Sequence, residues 1–184
     1  LVQSFLANAD VEYAEKDTLM YATLTPNDTW YGSQWHHPLM GSPTAWDTTL
    51  GSGVTVAVID TGVNCAVSEL SGQCVPGRNV ALDNDDTSDQ NNHGTWVAGT
   101  IASIGNNGAG VAGEAWGVKI MPIRITSDAG GSAFSSDIAD AVIWAADHGA
   151  KVANLSFGSS SGSSPSSVEI SAATYLRNSG GILF

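Results

Sequence analysis

The pattern of apolar and polar positions after residue 50 predicts strands and helices in alternation. The apolar run Val54–Ile59 is short, rich in β-branched residues and followed by a polar turn, as expected for a buried strand. The next periodic stretch, His93–Ile104, places Val97, Ile101 and Ile104 at the spacing of one helix face. The same two patterns recur further along and predict strands at Lys119–Ile125 and Lys151–Leu155, helices at Ser135–His148 and Ser166–Asn178, and a last strand that begins at Gly181.

The order of these predicted elements indicates an α/β fold. Strands that alternate with helices are typical of a three-layer arrangement, in which a mostly parallel sheet is flanked by helices. Ser135 or Ser136 is the expected N-cap of the second helix, whereas Pro165 precedes the last helix and Gly180 follows it. Residues 1–50 show little periodicity of either kind.

Composition and charge exclude several classes of protein. Of the 184 residues, 42% are hydrophobic, which is enough for a buried core and too many for a disordered chain. No apolar run approaches the length of about 18 residues that a membrane span requires. The net charge of −12 argues against a nucleic-acid partner, because contacts to phosphate require lysine and arginine.

Two cysteines, Cys65 and Cys74, lie in a stretch without regular periodicity. Their spacing differs from C-x-x-C and gives little support to a zinc or redox site. The pair is interpreted as a local disulfide, with two free thiols as the alternative. A disulfide would add about 2–3 kcal/mol by closing a short loop, and it would indicate an oxidising, extracytoplasmic compartment.

Two residues have the placement expected of an acid–base pair. Asp60 follows the first predicted strand, and functional groups in open α/β sheets lie at the carboxyl ends of the strands. His93 opens the first predicted helix after a polar loop. An imidazole there takes a proton from a hydroxyl if a carboxylate holds its other nitrogen. Asp60 and His93 are therefore candidates for the acid and the base of a serine-hydrolase triad.

The residues around this pair resemble those of the subtilisin-like serine proteases. The likeness covers Asp60–Gly62 (Asp-Thr-Gly) and His93–Thr100 (His-Gly-Thr-Trp-Val-Ala-Gly-Thr), and it continues through Gly110–Gly113 and Val152–Gly158. Trp96 stands where the family often has a second histidine, at a position interpreted as structural. The resemblance implies a subtilisin-like fold that is incomplete in this chain, and a serine endopeptidase that hydrolyses polypeptides.

The resemblance also implies roles for individual residues. Asp60 would orient His93, and His93 would act first as general base and then as general acid. The implied substrate-binding residues form two segments, one along the substrate strand and one in the wall of the primary specificity pocket: Gly130, Gly131 and Ser132, and Ser156, Phe157 and Gly158. The family's nucleophilic serine and oxyanion-hole asparagine cannot be mapped onto these residues, so the chain alone is expected to be inactive.

Calcium in a structural role is the cofactor that the resemblance implies. Asn107 lies in a loop similar to the family's principal calcium loop, and Asp28 and Glu69 stand at the places of its acidic ligands. Aspartate is commoner than glutamate at the position of Glu69. Asp83 and Asp85 are further candidates, because they belong to a run of alternating oxygen-bearing side chains that suits calcium. A solvated acidic loop is the alternative for that run.

The resemblance divides the chain into two parts. Residues 1–22 resemble the C-terminal tail of an inhibitory propeptide, and residues 23–184 resemble the first part of the catalytic domain, with a processing junction near residues 22–25. The expected protein is a secreted or extracytoplasmic monomer with its own propeptide as intramolecular inhibitor. Neither nucleic acid nor a membrane is an expected partner.

Two alternatives to the serine endopeptidase remain. One is an inactive chain, truncated or a pseudoenzyme, that cleaves no substrate. The other is an aspartic protease, because Asp-Thr-Gly is also the motif of that class. Its chemistry needs two carboxylates that share a proton, whereas the sequence has a single copy, Asp60–Gly62.

The remaining histidines have structural interpretations. His36 and His37 are adjacent in sequence, so their side chains are expected to point apart and to make a poor pair of metal ligands. His148 ends a predicted helix, where a positive charge suits the helix dipole.

Overall fold

Five strands form one sheet in the computed structural model, which describes residues 2–19, 24–158, 162 and 164–184. They are β1 (Thr55–Asp60), β2 (Arg78–Asn79), β3 (Lys119–Arg124), β4 (Val152–Leu155) and β5 (Ile182–Leu183). Their order across the sheet is β2-β3-β1-β4-β5, and each neighbouring pair is parallel. The predicted α/β fold with a parallel sheet is confirmed.

Helices occur both where periodicity predicts them and in the N-terminal region where it does not. The described helices are α1 (Val2–Leu6), α2 (His36–Met40), α3 (Ser42–Trp46), α4 (His93–Ala102), α5 (Ser135–Asp147) and α6 (Ser167–Asn178). The last three are the predicted helices, with ends within two residues of the expected ones. None of the described helices is long and apolar enough to cross a membrane.

The starts of α5 and α6 differ in how they are capped. Phe134 is the N-cap of α5, so the expected caps Ser135 and Ser136 lie inside its first turn. The backbone of Phe134 is extended, and its side chain makes no capping hydrogen bond, so the preceding loop rather than a serine sets this start. In α6, Ser166 and Glu169 form a capping box, in which each side chain accepts a bond from the other's backbone N–H.

The two faces of the sheet carry different helices, and β1 shows how its side chains divide between them. Val56 and Val58 pack on the face that α4 covers. Ala57 and Ile59 pack on the opposite face, against α5 and α6. Because side chains alternate along a strand, Asp60 shares the face of Val56 and Val58. The pleat of β1 therefore directs Asp60 towards α4, the helix that begins with the predicted base.

An N-terminal segment containing α2 and α3 packs along residues 106–116. Gln34 donates from its amide nitrogen to the carbonyl oxygen of Ala112 at 2.8 Å and accepts from the Ala112 N–H at 2.9 Å. The ring centroids of His36 and His37 lie 4.1 Å apart, so the expectation that these side chains point apart was wrong. Both residues belong to α2, where successive side chains diverge by about 100° rather than by the 180° of a strand.

Candidate active site

Asp60 and His93 form a hydrogen-bonded pair at the carboxyl end of β1. The Nδ1 atom of His93 lies 2.8 Å from Oδ1 of Asp60, and the backbone N–H of Thr61 donates to the same oxygen at 2.7 Å. The Asp60 side chain is fully buried, whereas 44% of the His93 side chain is exposed. A buried carboxylate thus holds one nitrogen of a ring that reaches solvent. In this geometry a carboxylate orients a histidine ring that can exchange protons through its other nitrogen.

Glycine at position 94 allows the two elements that carry the pair to approach closely. α4 begins at His93, directly after Asn92, whose backbone is left-handed with a φ of 80°. A Cβ added at Gly94 would lie 3.0 Å from the Cβ of Asp60 and still closer to the carbonyl oxygen of Gly62. A larger residue at position 94 would therefore push His93 away from its carboxylate partner.

Sequence reasoning missed two charged residues next to the pair. Arg124, on the neighbouring strand β3, is 1% exposed and donates to the carbonyl oxygens of Thr126 at 2.8 Å and Ser88 at 3.2 Å. Asp89 accepts hydrogen bonds from both segments that carry the pair. A signal for Asp89 was available, because it lies four residues before His93 in a loop of Asp and Asn, whose side chains often bond to nearby backbone N–H groups.

The two predicted substrate-binding segments meet at one groove of about 1120 Å³, which continues along α6. Four of the six predicted residues line this groove: Gly131, Ser132, Phe157 and Gly158. The other two form hydrogen bonds with residues two positions away. Gly130 donates its N–H to Asp128 at 2.7 Å, and the Ser156 hydroxyl accepts from the Asn154 amide at 2.9 Å.

The groove starts beside the residues that flank the acid–base pair. The amide nitrogen of Asn91 donates to the carbonyl oxygen of Ala129 at 2.8 Å and so ties the loop before His93 to the loop before Gly130. A Cβ added at Gly131, whose φ is 73°, would lie 3.3 Å from that same amide nitrogen and 3.8 Å from the methyl carbon of Thr61. Gly131 therefore lies beside residues that neighbour the pair in sequence.

Asp28, Glu69 and Asn107, the predicted calcium ligands, lie close together. Oδ2 of Asp28 accepts the backbone N–H of Asn106 at 2.6 Å. In the described part of the chain, Oδ1 of Asp28 and Oε2 of Glu69 are buried without a hydrogen-bond partner. Burial raises the pKa of the Glu69 carboxyl, the negative charge of Asp28 raises it further, and a hydrogen bond with Asn107 lowers it.

This donor set fits a bound calcium ion. Buried carboxylate oxygens are nearly always hydrogen-bonded. Asp28 and Glu69 each have one buried oxygen without a partner among the described residues, and their negative charges repel each other, which indicates a place for a positive charge. A Cβ added at Gly110 would lie 2.5 Å from the carboxyl carbon of Glu69, so the backbone of this loop packs directly against that carboxylate. Within the described residues no three His, Cys, Asp or Glu side chains are grouped to hold a metal, so amide and backbone oxygens would have to complete the site.

Asp83 and Asp85 have a protein cation as their partner. Both carboxylates bond to the guanidinium of Arg78, with an Nη1–Oδ1 distance of 2.8 Å for Asp85. The two carboxylate side chains are 94% and 90% exposed. This geometry agrees with the solvated acidic loop that was the alternative to a second calcium site.

A disulfide joins Cys65 and Cys74, whose Cα atoms are 6.1 Å apart. The loop that it closes contains Glu69, in a short 3₁₀ helix at Ser68–Leu70. The carbonyl oxygen of Glu69 accepts the backbone N–H of Ile104 at 2.9 Å. The disulfide therefore constrains the loop that carries a candidate calcium ligand.

Comparisons with known proteins identify relatives of this chain by sequence. The model of the subtilase family (Peptidase_S8) matches residues 51–184. The chain is 47% identical over 161 residues to a thermophilic serine proteinase of Bacillus sp. strain AK1, covering 86% of this chain and 40% of that protein. It is 36% identical over 177 residues to an extracellular protease of Xanthomonas campestris pv. campestris, covering 79% of this chain and 30% of that protein.

A comparison with solved structures also finds a protein with a similar fold. A protease from Pseudoalteromonas arctica PAMC 21717 superposes with a TM-score of 0.78 at 34% identity, covering 87% of this chain and 58% of that one. The chain spans less than half of the length of the two curated relatives. The matched region contains both Asp60 and His93 with the strand and helix that carry them. By sequence and by fold, the chain belongs to the subtilase family.

Proposed function

We propose that the protein is a serine endopeptidase in which Asp60 and His93 are the acid and the base of an Asp-His-Ser triad. The observation that carries the proposal is the 2.8 Å contact between Nδ1 of His93 and Oδ1 of a fully buried Asp60. Through Nε2, His93 would accept the proton of a serine hydroxyl as that oxygen attacks the scissile carbonyl, and would then donate it to the leaving amine. Asp60 would stabilise the imidazolium between these steps.

On this proposal, the nucleophilic serine lies outside these 184 residues. The Gly-Thr-Ser context expected around the family's catalytic serine does not occur in the sequence, and no oxyanion-hole asparagine can be mapped. The 184-residue chain alone is therefore proposed to be inactive, while the full-length protein is active. Turnover of a chromogenic peptide by the isolated chain, abolished by a fluorophosphonate, would contradict this.

Polypeptides are the proposed substrates. The segment Gly130–Ser132 presents exposed or half-exposed backbone at the start of the groove that Phe157 and Gly158 also line. An extended peptide would pair with such a segment by adding a strand, and the side-chain pocket beyond it would select one residue of the substrate.

The catalytic roles are tested by hydrolysis of casein and of a chromogenic peptide with the full-length protein. His93→Ala is expected to lower kcat by about 10⁶-fold, and Asp60→Asn by about 10⁴-fold. His148→Ala is the matched control. It also removes a histidine, but this one is exposed at the end of α5, where its Nδ1 bonds to the Trp144 carbonyl oxygen at 2.8 Å rather than to Asp60. Activity that survives in His93→Ala, or that a pepstatin-like peptide blocks and a fluorophosphonate does not, would refute the proposal.

Calcium is proposed as a structural cofactor held by Asp28, Glu69 and Asn107. The ion would neutralise the carboxylates of Asp28 and Glu69 and cross-link the N-terminal segment to the loop at residues 106–110. The proposal is tested by calorimetric titration of Ca²⁺ into the full-length protein depleted of metal by a chelator. Glu69→Gln is expected to weaken binding at least about tenfold, a loss of about 1.4 kcal/mol. Asp140→Asn, an exposed carboxylate on α5, is the control that should bind Ca²⁺ normally.

Secretion, a monomeric state and inhibition by a propeptide complete the proposal. Support for secretion comes from the disulfide and from the extracellular protease among the relatives. The division into a propeptide tail at 1–22 and a peptidase domain at 23–184 depends on the sequence resemblance, and its junction includes residues 22 and 23, which lie outside the described residues. The mature protein is expected to begin within residues 22–25, which N-terminal sequencing tests.

A further inference from the structure

The Asp89 carboxylate bonds to both chain segments that carry the acid–base pair. Its Oδ1 accepts the hydroxyl of Thr61, the residue after Asp60, at 2.8 Å. Its Oδ2 accepts both the hydroxyl of Thr95 at 2.6 Å and the backbone N–H of Thr95 at 2.9 Å, two residues after His93. One side chain therefore connects the end of β1 to the first turn of α4.

The same carboxylate shapes the backbone that leads into the base. Oδ1 of Asp89 also accepts the backbone N–H groups of Asn91 and Asn92, each at 2.9 Å. Asn92 has a φ of 80°, a left-handed conformation that is costly for a residue other than glycine. The chain has to adopt this conformation in order to enter α4 at His93, and the bond to the Asn92 N–H helps to hold it there.

Thr61 extends this connection from Asp89 to the residue next to the base. While the Thr61 hydroxyl donates to Asp89, its oxygen accepts the backbone N–H of Gly94 at 3.0 Å. Thr61 directly follows Asp60, and Gly94 directly follows His93. The hydrogen bonds from Asp89 through Thr61 to Gly94 thus restrain the two backbones next to the 2.8 Å contact between acid and base.

The five bonds depend on an ionised carboxylate. Burial raises the pKa of Asp89, but hydrogen bonds from Thr95, Asn91 and Thr61 outweigh it and leave the pKa below its usual value. A carboxylate has only acceptor sites, about four lone pairs on two oxygens, which the five donors share. An amide in its place would turn an NH₂ group towards donors and lose several of these bonds.

We propose that Asp89 is a positioning residue, which sets the distance and orientation of His93 relative to Asp60 without touching the substrate. This inference rests on the proposed serine-protease function. It predicts that a change at Asp89 lowers the rate of the chemical step while substrate binding in the groove is retained. A misplacement of about 1 Å in a catalytic group can cost about 10²-fold in rate.

The test compares Asp89→Asn, Thr61→Val and the double variant in the full-length protein. Each enzyme is titrated with a fluorophosphonate so that kcat refers to competent sites only, which removes the effect of unfolded protein. Asp89→Asn is expected to lower kcat per site by about 10²-fold with KM within about threefold. Thr61→Val should act in the same direction, and the double variant should lose less than the product of the two losses, because both changes break the same connection.

The matched control is Asp147→Asn, at the end of α5. The Asp147 carboxylate is exposed and accepts the hydroxyl of Tyr175 at 2.7 Å, so kcat per site should stay at the wild-type value. Unchanged kcat in both Asp89→Asn and Thr61→Val would overturn the inference, as would strict multiplicativity of the two losses. If Asp89→Asn does not fold, Thr61→Val decides alone. An inactive wild-type protein would instead refute the proposed function, so the two failures are distinguishable.

Discussion

Replacing Glu114 with alanine tests what holds the N-terminal segment to the domain. The carboxylate of Glu114 accepts the hydroxyl of Ser42 at 2.7 Å and contacts Nδ1 of His37 at 2.9 Å. His37 and Ser42 are 0% and 1% exposed, so water cannot readily reach these two side chains and replace the lost carboxylate as their partner. The backbone oxygen of Glu114 accepts the indole N–H of Trp46 at 2.8 Å, and this bond remains in an alanine variant.

The magnitude follows from the two buried polar groups that lose a partner. Each unsatisfied group costs about 1–3 kcal/mol, which gives a range of about 2–6 kcal/mol for both. The Glu114 side chain is 36% exposed, so water can enter part of the space that it leaves, and this favours the lower end. We therefore expect Glu114→Ala to lower the free energy of unfolding by about 3 kcal/mol and to lower the Tm.

The assay is urea and thermal unfolding of the full-length protein at neutral pH. Glu114→Gln keeps the size of the side chain and one acceptor oxygen, so it should lose about half as much stability as the alanine variant. Asp140→Ala removes an exposed carboxylate from α5 and should stay within about 0.5 kcal/mol of wild type. A Glu114→Ala protein with the wild-type midpoint of urea unfolding would refute the reasoning, because the loss of a partner by two buried polar groups should lower the free energy of unfolding.

Three further predictions concern local features of the fold. Replacing Cys65 and Cys74 with serine should cost about 2–3 kcal/mol, seen as a lower Tm, and intact mass before and after reduction tests whether the disulfide forms. Ser166→Ala removes half of the capping box with Glu169 and should cost about 1 kcal/mol, with faster hydrogen exchange in the first turn of α6. The folded-state pKa of Asp89 is depressed, so the contribution of its carboxylate to the free energy of unfolding should be complete above about pH 5 and lost as the pH falls through that pKa. Asp89→Asn should therefore weaken the fall in stability at acid pH, as measured by urea unfolding.

The sequence pattern predicts β1, β3, β4 and the start of β5, and it misses β2, which is defined by pairing alone. β1 has a continuous apolar run because α4 covers one of its faces and α5 and α6 cover the other. β2 consists of Arg78 and Asn79 and is a strand only because it pairs with Ile123 and Arg124 of β3. Two residues are too few for a period of two to be recognised.

The short N-terminal helices were missed for a related reason. α2 and α3 have five residues each, fewer than an isolated helix needs, so their stability comes from contacts rather than from periodicity. Those contacts join Gln34 to Ala112 and Ser42 to Glu114, across more than 70 positions of sequence. Local sequence patterns contain no information on hydrogen bonds between residues so far apart in the sequence.

The candidate site shows the same division between motif and network. Asp60 and His93 were found because each lies in a local motif at the end of a predicted element. Asp89 was missed because its importance depends on Thr61, 28 residues earlier, as much as on its neighbours. From the sequence, Arg124 is one residue of an ordinary predicted strand, and only the fold brings its guanidinium to the carbonyl oxygen of Ser88, 36 residues earlier.

The proposed catalytic pair and the proposed calcium site lie at opposite ends of α4, which separates their effects. His93 begins the helix, whereas the chain after its C-terminal end reaches Ile104, whose N–H bonds to the Glu69 carbonyl oxygen. Ten helical residues at about 1.5 Å each place the two ends about 15 Å apart. At that distance the ion would contact neither Asp60 nor His93, so calcium would take no direct part in proton transfer. Its effect would pass through the stability of the loops that hold the C-terminal end of α4. Removing the ion should therefore lower the Tm of the protein but leave kcat nearly unchanged at temperatures where the protein remains folded.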